Sequence, residues 1–287
     1  MTTAAFSLSR LILLRETRFP HLIGMTDLSS AATTSVAVSE SAPATRSVER
    51  KLLTARLTSA LWLSPQTKHL EFAVENDDGF AFIPGQFVSI QQPKPDGKVH
   101  TRAYSIASAP RSSSSFDLCL NRVDAGFLSN WLCDLEVGTT VQFHGPHGMF
   151  TLRQPHQDSL FVATGTGVAP VRGIVHWLFD SPERHQDREY WLLYGTRHET
   201  GLYYRDEFLE LERTHPNFHY LPTLSRGEAD WPGLRGYVQD HVREIVGERK
   251  DMHAYICGLH QMVDANRKLL KEELGWDRKQ IVFERYD

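Results

Sequence analysis

The sequence predicts a two-domain chain, an antiparallel β-barrel followed by an α/β domain on a parallel sheet, and three observations predict it. The 287 residues suit about two domains of ordinary size. From about Glu49 to Arg153 the chain reads as short strand-like runs between turn residues. After Arg153 apolar runs alternate with segments of helical period. Short strands at regular spacing close into a small barrel, whereas strands separated by helices run parallel and are covered on both faces. At 41% hydrophobic, 10% aromatic and 23% charged residues, the composition excludes fibrous and wholly disordered classes.

Taken in order, residues 26–48 hold ten Ser or Thr and five Ala. Such a stretch buries too little to offset the entropy of ordering it, so residues 1–48 are expected to form a disordered tail. Arg10, Arg15 and Arg18 against the single acid Glu16 echo an organelle transit peptide, with Met25 as an alternative start. Barrel strands are expected at Leu52–Ser59, His69–Val74, Gln86–Ile90, Arg102–Ser105, Phe116–Val123 and Thr140–Phe143, with a helix over Ser129–Leu135. A link near Gln154–Asp158 sets the domains at 49–154 and 155–287. Beyond it, strands are expected at Ser159–Ala163, Tyr190–Tyr194, Phe218–Leu224 and His253–Cys257. Helices are expected at Val168–Phe179, Asp206–Thr214, Tyr237–Val246 and Met262–Leu274. No internal repeat is visible.

With 31 Lys and Arg against 35 Asp and Glu, the net charge of −4 offers no overall positive field for nucleic acid. The longest apolar stretches, such as Leu11–Leu14, fall far short of the ~18 residues that span a bilayer. Cys119, Cys133 and Cys257 are odd in number and widely spaced, which supports neither a disulfide framework nor a C-x-x-C metal site. A reducing compartment follows, the cytoplasm by default and an organelle if the first residues target one.

The strand Phe161–Ala163 runs through Thr164 into Gly165-Thr166-Gly167 and then Val168-Ala169-Pro170. Two glycines allow a tight turn and bring backbone N–H groups close to a phosphate at a helix N-terminus. Pro170 replaces the third glycine of the usual phosphate fingerprint, and many such turns are glycine-rich for steric reasons alone. On the strand Arg102-Ala103-Tyr104-Ser105, alternation puts Arg102 and Tyr104 on one face and Ser105 on the other. A cation beside a flat aromatic suits a ligand with a phosphate and a planar ring. Gly126-Phe127-Leu128-Ser129 opens a helix, either as an anion site or as an ordinary capped helix.

These pieces, with Pro84-Gly85-Gln86-Phe87, Gly145-Pro146-His147-Gly148, Tyr194-Gly195-Thr196-Arg197 and Tyr255-Ile256-Cys257-Gly258, follow one another as in the ferredoxin:NADP reductase superfamily. Residues ~50–287 resemble that family. The resemblance implies an FAD-binding barrel in which Arg102 neutralises the pyrophosphate, Tyr104 stacks on the isoalloxazine and Ser105 hydrogen-bonds near its N5. Ala103, Asn121 and Gly126 to Ser129 would complete that cradle. It implies a second domain holding the nicotinamide nucleotide through Thr164 to Pro170 and Gly258, with Thr196 and Arg197 near its phosphates. Cys257 matches a cysteine beside the nicotinamide C4, although a small buried apolar residue is an equal reading. The implied catalytic set is Ser105, Cys257, Glu284 and Tyr286.

Nicotinamide preference turns on Ser225, Arg226, Arg235 and Tyr237. Positive charge and a hydroxyl suit a 2′-phosphate while Tyr237 stacks on adenine, so NADP(H) is expected, yet NAD(H)-dependent oxygenase reductases share much of this pattern. The ending Phe283-Glu284-Arg285-Tyr286-Asp287 is similar to the Glu-x-Tyr ending of plant-type members, in which the aromatic covers the flavin. Asp287 follows the tyrosine here, which leaves open a surface-tail reading for Tyr286. His144 and His147 have H-x-x-H spacing without a nearby third ligand, and no metal is expected there. No C-x4-C-x2-C cluster motif occurs, so electrons would pass to a separate carrier, a ferredoxin or flavodoxin. Arg102, Arg111, Arg122, Arg153 and Arg172 are candidates for its docking surface. The expected function is an NADPH-dependent flavin reductase. An NADH-dependent oxygenase reductase and a non-catalytic flavin- or nucleotide-binding subunit are the alternatives.

Overall fold

The computed structural model describes residues 51–76 and 79–286. The expectations for residues 1–48, namely the disordered tail, the targeting echo and the start at Met25, lie outside the described residues. Six antiparallel strands form the first sheet: β1 (Leu53–Ser64), β2 (Thr67–Val74), β3 (Phe87–Pro93), β4 (Val99–Ser105), β5 (Ser115–Asn121) and β6 (Thr140–His147). Their order is β4-β3-β6-β1-β2-β5, and an Ile106–Leu118 bridge just beyond β4 joins the two ends into a barrel. Each barrel strand runs past the sequence expectation at one end, because ladder pairing carries through polar residues that break the apolar pattern. Ser64 makes the β1–β2 turn, its Oγ accepting from the backbone N–H of Thr67 at 3.1 Å. Inside, Phe116 lies 5.4 Å from Phe72 and 5.1 Å from Phe143, ring centre to ring centre. Burying such a ring contributes about 1.5–3 kcal/mol. Helix α1 (Phe127–Asp134) begins two residues before the expected start and closes one end of this core with Leu128 and Leu132.

The second sheet is parallel. It comprises β7 (Ser159–Thr164), β8 (Tyr190–Thr196), β9 (Phe218–Leu224), β10 (Leu234–Arg235), β11 (His253–Leu259) and β12 (Ile281–Tyr286), in the order β10-β9-β8-β7-β11-β12. The helices are α2 (Val168–Phe179), α3 (Pro182–His185), α4 (Arg205–Thr214), α5 (Val238–Val246) and α6 (His260–Lys268). Alternation sorts the strand side chains cleanly. Phe161, Ala163, Tyr255 and Cys257 pack with Val171, Ile174 and Phe208 of α2 and α4. Leu160, Val162, Ala254 and Ile256 pack with Val242, Val263 and Leu270 on the opposite face. Both faces are therefore covered, which accounts for the near-continuous apolar strands.

Four elements differ most from expectation. β10 and α3 are too short to show a period, and α6 starts two residues earlier than read and ends in a π-turn over Leu269–Glu273. β12 is the consequential one: the sequence offered a C-terminal tail, and the structure makes it the edge strand of the sheet. Pro222 is tolerated inside β9 because β10 pairs with β9 only at Thr223 and Leu224, past the proline's missing N–H.

Candidate active site

Four side chains from three strands meet where the sheets adjoin. Ser105 ends β4, and its Oγ donates to Glu284 Oε1 of β12 at 2.6 Å. Register pairs Cys257 of β11 directly with Glu284, and Leu259 with Tyr286. The strand period then aims Val282, Glu284 and Tyr286 to one side, where Val282 and Tyr286 pack into the core that contains Cys257. Tyr286 is thus a half-buried strand residue, and the surface-tail reading is corrected. Asp287, the residue that raised that reading, lies outside the described residues.

Burial governs the protonation of this cluster. It lifts the Cys257 thiol well above its ordinary range, with the Glu284 charge adding to the effect. It raises the Tyr286 phenol likewise, against interaction with Ser105. The Glu284 carboxyl is raised by burial and opposed only by the Ser105 hydrogen bond. Cys257 is therefore held as a neutral thiol rather than a thiolate, and Glu284 keeps a proton to higher pH than an ordinary carboxyl.

On the barrel side, β4 exposes Thr101, Arg102 and Ala103 in succession, whereas Phe116 to Leu120 of β5 are all buried. A strand without a buried run is a surface left for something to cover. The Arg102 guanidinium has one described partner, the neighbouring Thr101 carbonyl at 3.3 Å. Tyr104 is half-buried against the barrel core, and its phenol is raised by that burial. Gly126 supplies no side-chain cap to α1, and Ser129 Oγ turns back onto the Gly126 carbonyl at 3.4 Å. The first-turn amides of Phe127, Leu128 and Ser129 thus remain open to an anion. Phe127 stands edge-on to His100 of β4, 5.9 Å between ring centres, so helix start and strand are neighbours. This arrangement of amides, a guanidinium and a ring fits FAD. Asn121 is engaged elsewhere: Thr67 Oγ1 donates to its Oδ1 at 2.6 Å and lies 2.6 Å from the Tyr203 hydroxyl.

On the other side, Gly165–Gly167 form one turn of 3-10 helix between β7 and α2, at the point where strand order reverses between β7 and β11. That is where open α/β sheets bind nucleotides. The steric reading holds at the second of these glycines. A Cβ on Gly167 would lie 2.3 Å from the Cys257 carbonyl oxygen, and one on Gly258, at φ +148°, 2.2 Å from Thr164 Oγ1. Gly165, by contrast, faces open space. Its carbonyl lies 3.0 Å from the Tyr194 hydroxyl, a support that the sequence did not signal. Thr164 Oγ1 is buried without a hydrogen-bond partner among the described residues, an unsatisfied group that a bound nucleotide can complete. Thr166 sits half-exposed at the turn, and Val168, Ala169 and Pro170 are buried behind it.

The ends of β8 and β9 are joined, the Ser225 N–H donating to the Thr196 carbonyl at 3.0 Å and the Arg226 N–H to the Arg197 carbonyl at 2.9 Å. Thr196 Oγ1 donates to the His198 carbonyl. Arg197 and Arg226 are exposed, with no side-chain partner among the described residues, and Ser225 lies beside them. Tyr237 is 64% exposed at the start of α5. Arg235 departs from expectation: its guanidinium donates to the carbonyls of Gly227, Glu228, Ala229 and Trp231. It shapes the loop after β9 rather than standing free for a phosphate.

The expected docking arginines are also corrected. Arg111 forms a bidentate pair with Asp117 at 2.7 and 2.6 Å, Arg122 pairs with Asp134, and Arg172 is largely buried against Glu207. Only Arg102 and Arg153 of the five lack a described ion-pair partner, the first on the exposed face of β4. His144 donates through Nδ1 to the Lys51 carbonyl. No helix among the described residues is long and apolar enough to cross a membrane.

Residues 54–152 match the oxidoreductase FAD-binding domain family and residues 161–268 the oxidoreductase NAD-binding domain family. The chain is 45% identical over 241 residues to ferredoxin–NADP reductase B of Sorangium cellulosum, a match covering 81% of this chain and 97% of that protein. It is 32% identical over 229 residues to the reductase component DmpP of phenol 2-monooxygenase from a Pseudomonas, covering 78% of this chain and 62% of that protein. Among solved structures, the Amycolatopsis cytochrome P450 reductase GcoB superposes with a TM-score of 0.73 at 28% identity, over 82% of this chain and 69% of that one.

Proposed function

The chain belongs to the ferredoxin–NADP reductase family, and on that premise we propose that it moves a hydride between NADPH and bound FAD and exchanges single electrons with a separate ferredoxin or flavodoxin. The observation that carries this reading is the convergence of Ser105, Cys257, Glu284 and Tyr286 between the exposed face of β4 and the turn after β7. FAD, when bound, supplies the centre that accepts two electrons together and releases them one at a time.

The chain's own residues bind, orient and hold protons. Arg102 and the first-turn amides of α1 counter a pyrophosphate, and Tyr104 offers a ring face. Ser105 is held by Glu284, so its hydroxyl has a fixed direction. Burial lets Glu284 hold a proton to higher pH than an ordinary carboxyl, and when protonated it can pass that proton through Ser105. Cys257 and Tyr286 form an apolar, neutral wall that keeps water from the reacting edge. Thr164, Gly165, Thr166 and Gly258 accept the nicotinamide end of the nucleotide. Arg197, Ser225 and Arg226 meet its 2′-phosphate, and Tyr237 its adenine. We set the domain boundary at 154/155, within the segment between β6 and β7. Three buried free cysteines agree with a reducing compartment such as the cytoplasm.

A second reading, an NADH-dependent oxygenase reductase, draws support from Arg235, whose engagement removes one cation from the 2′-phosphate set. Anaerobic stopped-flow mixing of the FAD-loaded protein with each nucleotide tests both. Faster flavin bleaching with NADPH is expected; preference for NADH moves the protein to the second reading. Flavin that neither nucleotide bleaches would leave only a binding role.

A further inference from the structure

Helix α2 begins at the nucleotide turn, and one turn further on it carries Arg172, which no part of the proposed chemistry uses. Its side chain is 14% exposed and joins the two domains. Nε and Nη2 donate to Glu207 of α4 at 2.7 and 3.1 Å. Nη1 donates to the Ala107 carbonyl at 2.8 Å and approaches Asp117 Oδ2 of β5 at 3.5 Å. The guanidinium lies over the Tyr204 ring, 4.5 Å from its centre. Ala107 is two residues beyond Ser105, and the segment between is itself held to β5: the Ala107 N–H donates to the Asp117 carbonyl at 2.8 Å, and the Asp117 N–H to Ser108 Oγ at 3.0 Å. Gly173, the next residue on α2, lets the helix lie flush on this segment, since a Cβ there would sit 2.6 Å from the Ser108 carbonyl oxygen.

We propose that Arg172 and Gly173 are positioning residues for hydride transfer, setting the nucleotide turn against the end of β4 through the rigid first turns of α2. A helix rises ~1.5 Å per residue, so Arg172 lies only ~6 Å along the axis from Val168 and moves with it as one body. The reacting groups sit on opposite sides of this contact, Ser105 on the barrel and Gly165–Thr166 on the parallel sheet, and their separation is fixed where Arg172 and Gly173 meet Ala107 and Ser108. Lysine cannot replace Arg172 here, because a single ammonium cannot hold the Glu207 fork and the Ala107 carbonyl in one geometry. Because near-attack geometry is steep in distance, a small slip of α2 lowers the hydride step without removing either ligand.

The inference rests on the proposed nucleotide and flavin sites, and the experiment separates the two. Arg172→Lys is compared with the parent chain in FAD content, NADP+ affinity, the rate of anaerobic flavin bleaching, and the rate at which ferricyanide reoxidises photoreduced protein. Hydrogen exchange of the amides over 165–171 and 105–108 gives a readout independent of turnover. Expected are unchanged FAD content and ferricyanide rate, NADP+ affinity within about threefold, faster exchange in both segments, and a hydride step slowed tenfold or more. Gly173→Ala, which wedges the same contact while keeping every ion pair, serves if the lysine variant loses FAD, and the same selective slowing is expected. A folded variant whose hydride step stays within twofold of the parent overturns the inference, and so does an equal fall in the ferricyanide rate. A parent protein bleached by neither nucleotide overturns the functional reading instead.

Discussion

Replacing Arg226 by alanine tests where the 2′-phosphate binds. Arg226 is exposed, its guanidinium has no described partner, and its backbone N–H is tied to the Arg197 carbonyl, so the loop keeps its shape when the side chain is removed. A hydrogen bond between a guanidinium and a phosphate is worth about 1.5–3 kcal/mol. Exposure places this one near the lower end, since water competes for both partners and Arg197 stays behind to share the charge. A loss of about 1.5 kcal/mol corresponds to roughly a tenfold weaker NADPH complex. NADH, which lacks that phosphate, should be unaffected within about twofold. The assay is titration of the oxidised protein with NADP+ and NAD+, followed by flavin absorbance, with kcat/KM for both reduced nucleotides alongside. Arg235→Ala provides the contrast: it releases four loop carbonyls and should weaken both nucleotides together. Equal losses for the two nucleotides in Arg226→Ala, or no loss for NADPH, would refute the assignment.

Three further outcomes follow from the geometry. Gly258→Ala forces a Cβ to 2.2 Å from Thr164 Oγ1 at a backbone angle of +148°, and should cost about 2–4 kcal/mol, read as an earlier urea midpoint with weaker nucleotide binding. Glu284→Gln keeps an acceptor for Ser105 but removes the titrating group, so a limb above pH 4.5 in the pH profile of flavin bleaching should disappear; its persistence would take Glu284 out of the proton path. Glu207 is raised by burial, yet hydrogen bonds from His176 and Arg172 outweigh this and hold its carboxyl at about 2. Its folded value is depressed, so its stabilisation is complete above about pH 4.5 and lost as pH falls toward 2. The carboxylate is 37% exposed, which limits the effect to about 1–2 kcal/mol. Glu207→Gln should flatten acid unfolding over that window in a urea series, and an unchanged slope would show the pair to be idle.

How much was legible follows from the range of the signals. β9 and α2 carry their periods within one segment, and the structure gives both the bounds expected, Phe218–Leu224 and Val168–Phe179. The glycine turn at 165–167 could be read because a strand, two glycines and a helix start are consecutive. β10, two residues long, and β12, with no clear alternation, could not, because pairing with a neighbour rather than local pattern makes them strands. Arg235 and Arg172 show the same limit: an arginine near a site looks available in sequence, and only the fold shows which carbonyls and carboxylates claim it.

By itself the sequence determined the two sheet types and the glycine turn after β7, since local periodicity and consecutive motifs are properties of contiguous chain. Tertiary structure alone decided that Glu284 meets Ser105, that burial keeps Cys257 and Tyr286 neutral, and that Arg172 ties α2 to the end of β4. These depend on distances between residues far apart in the chain and on how much water reaches them, and neither quantity is local.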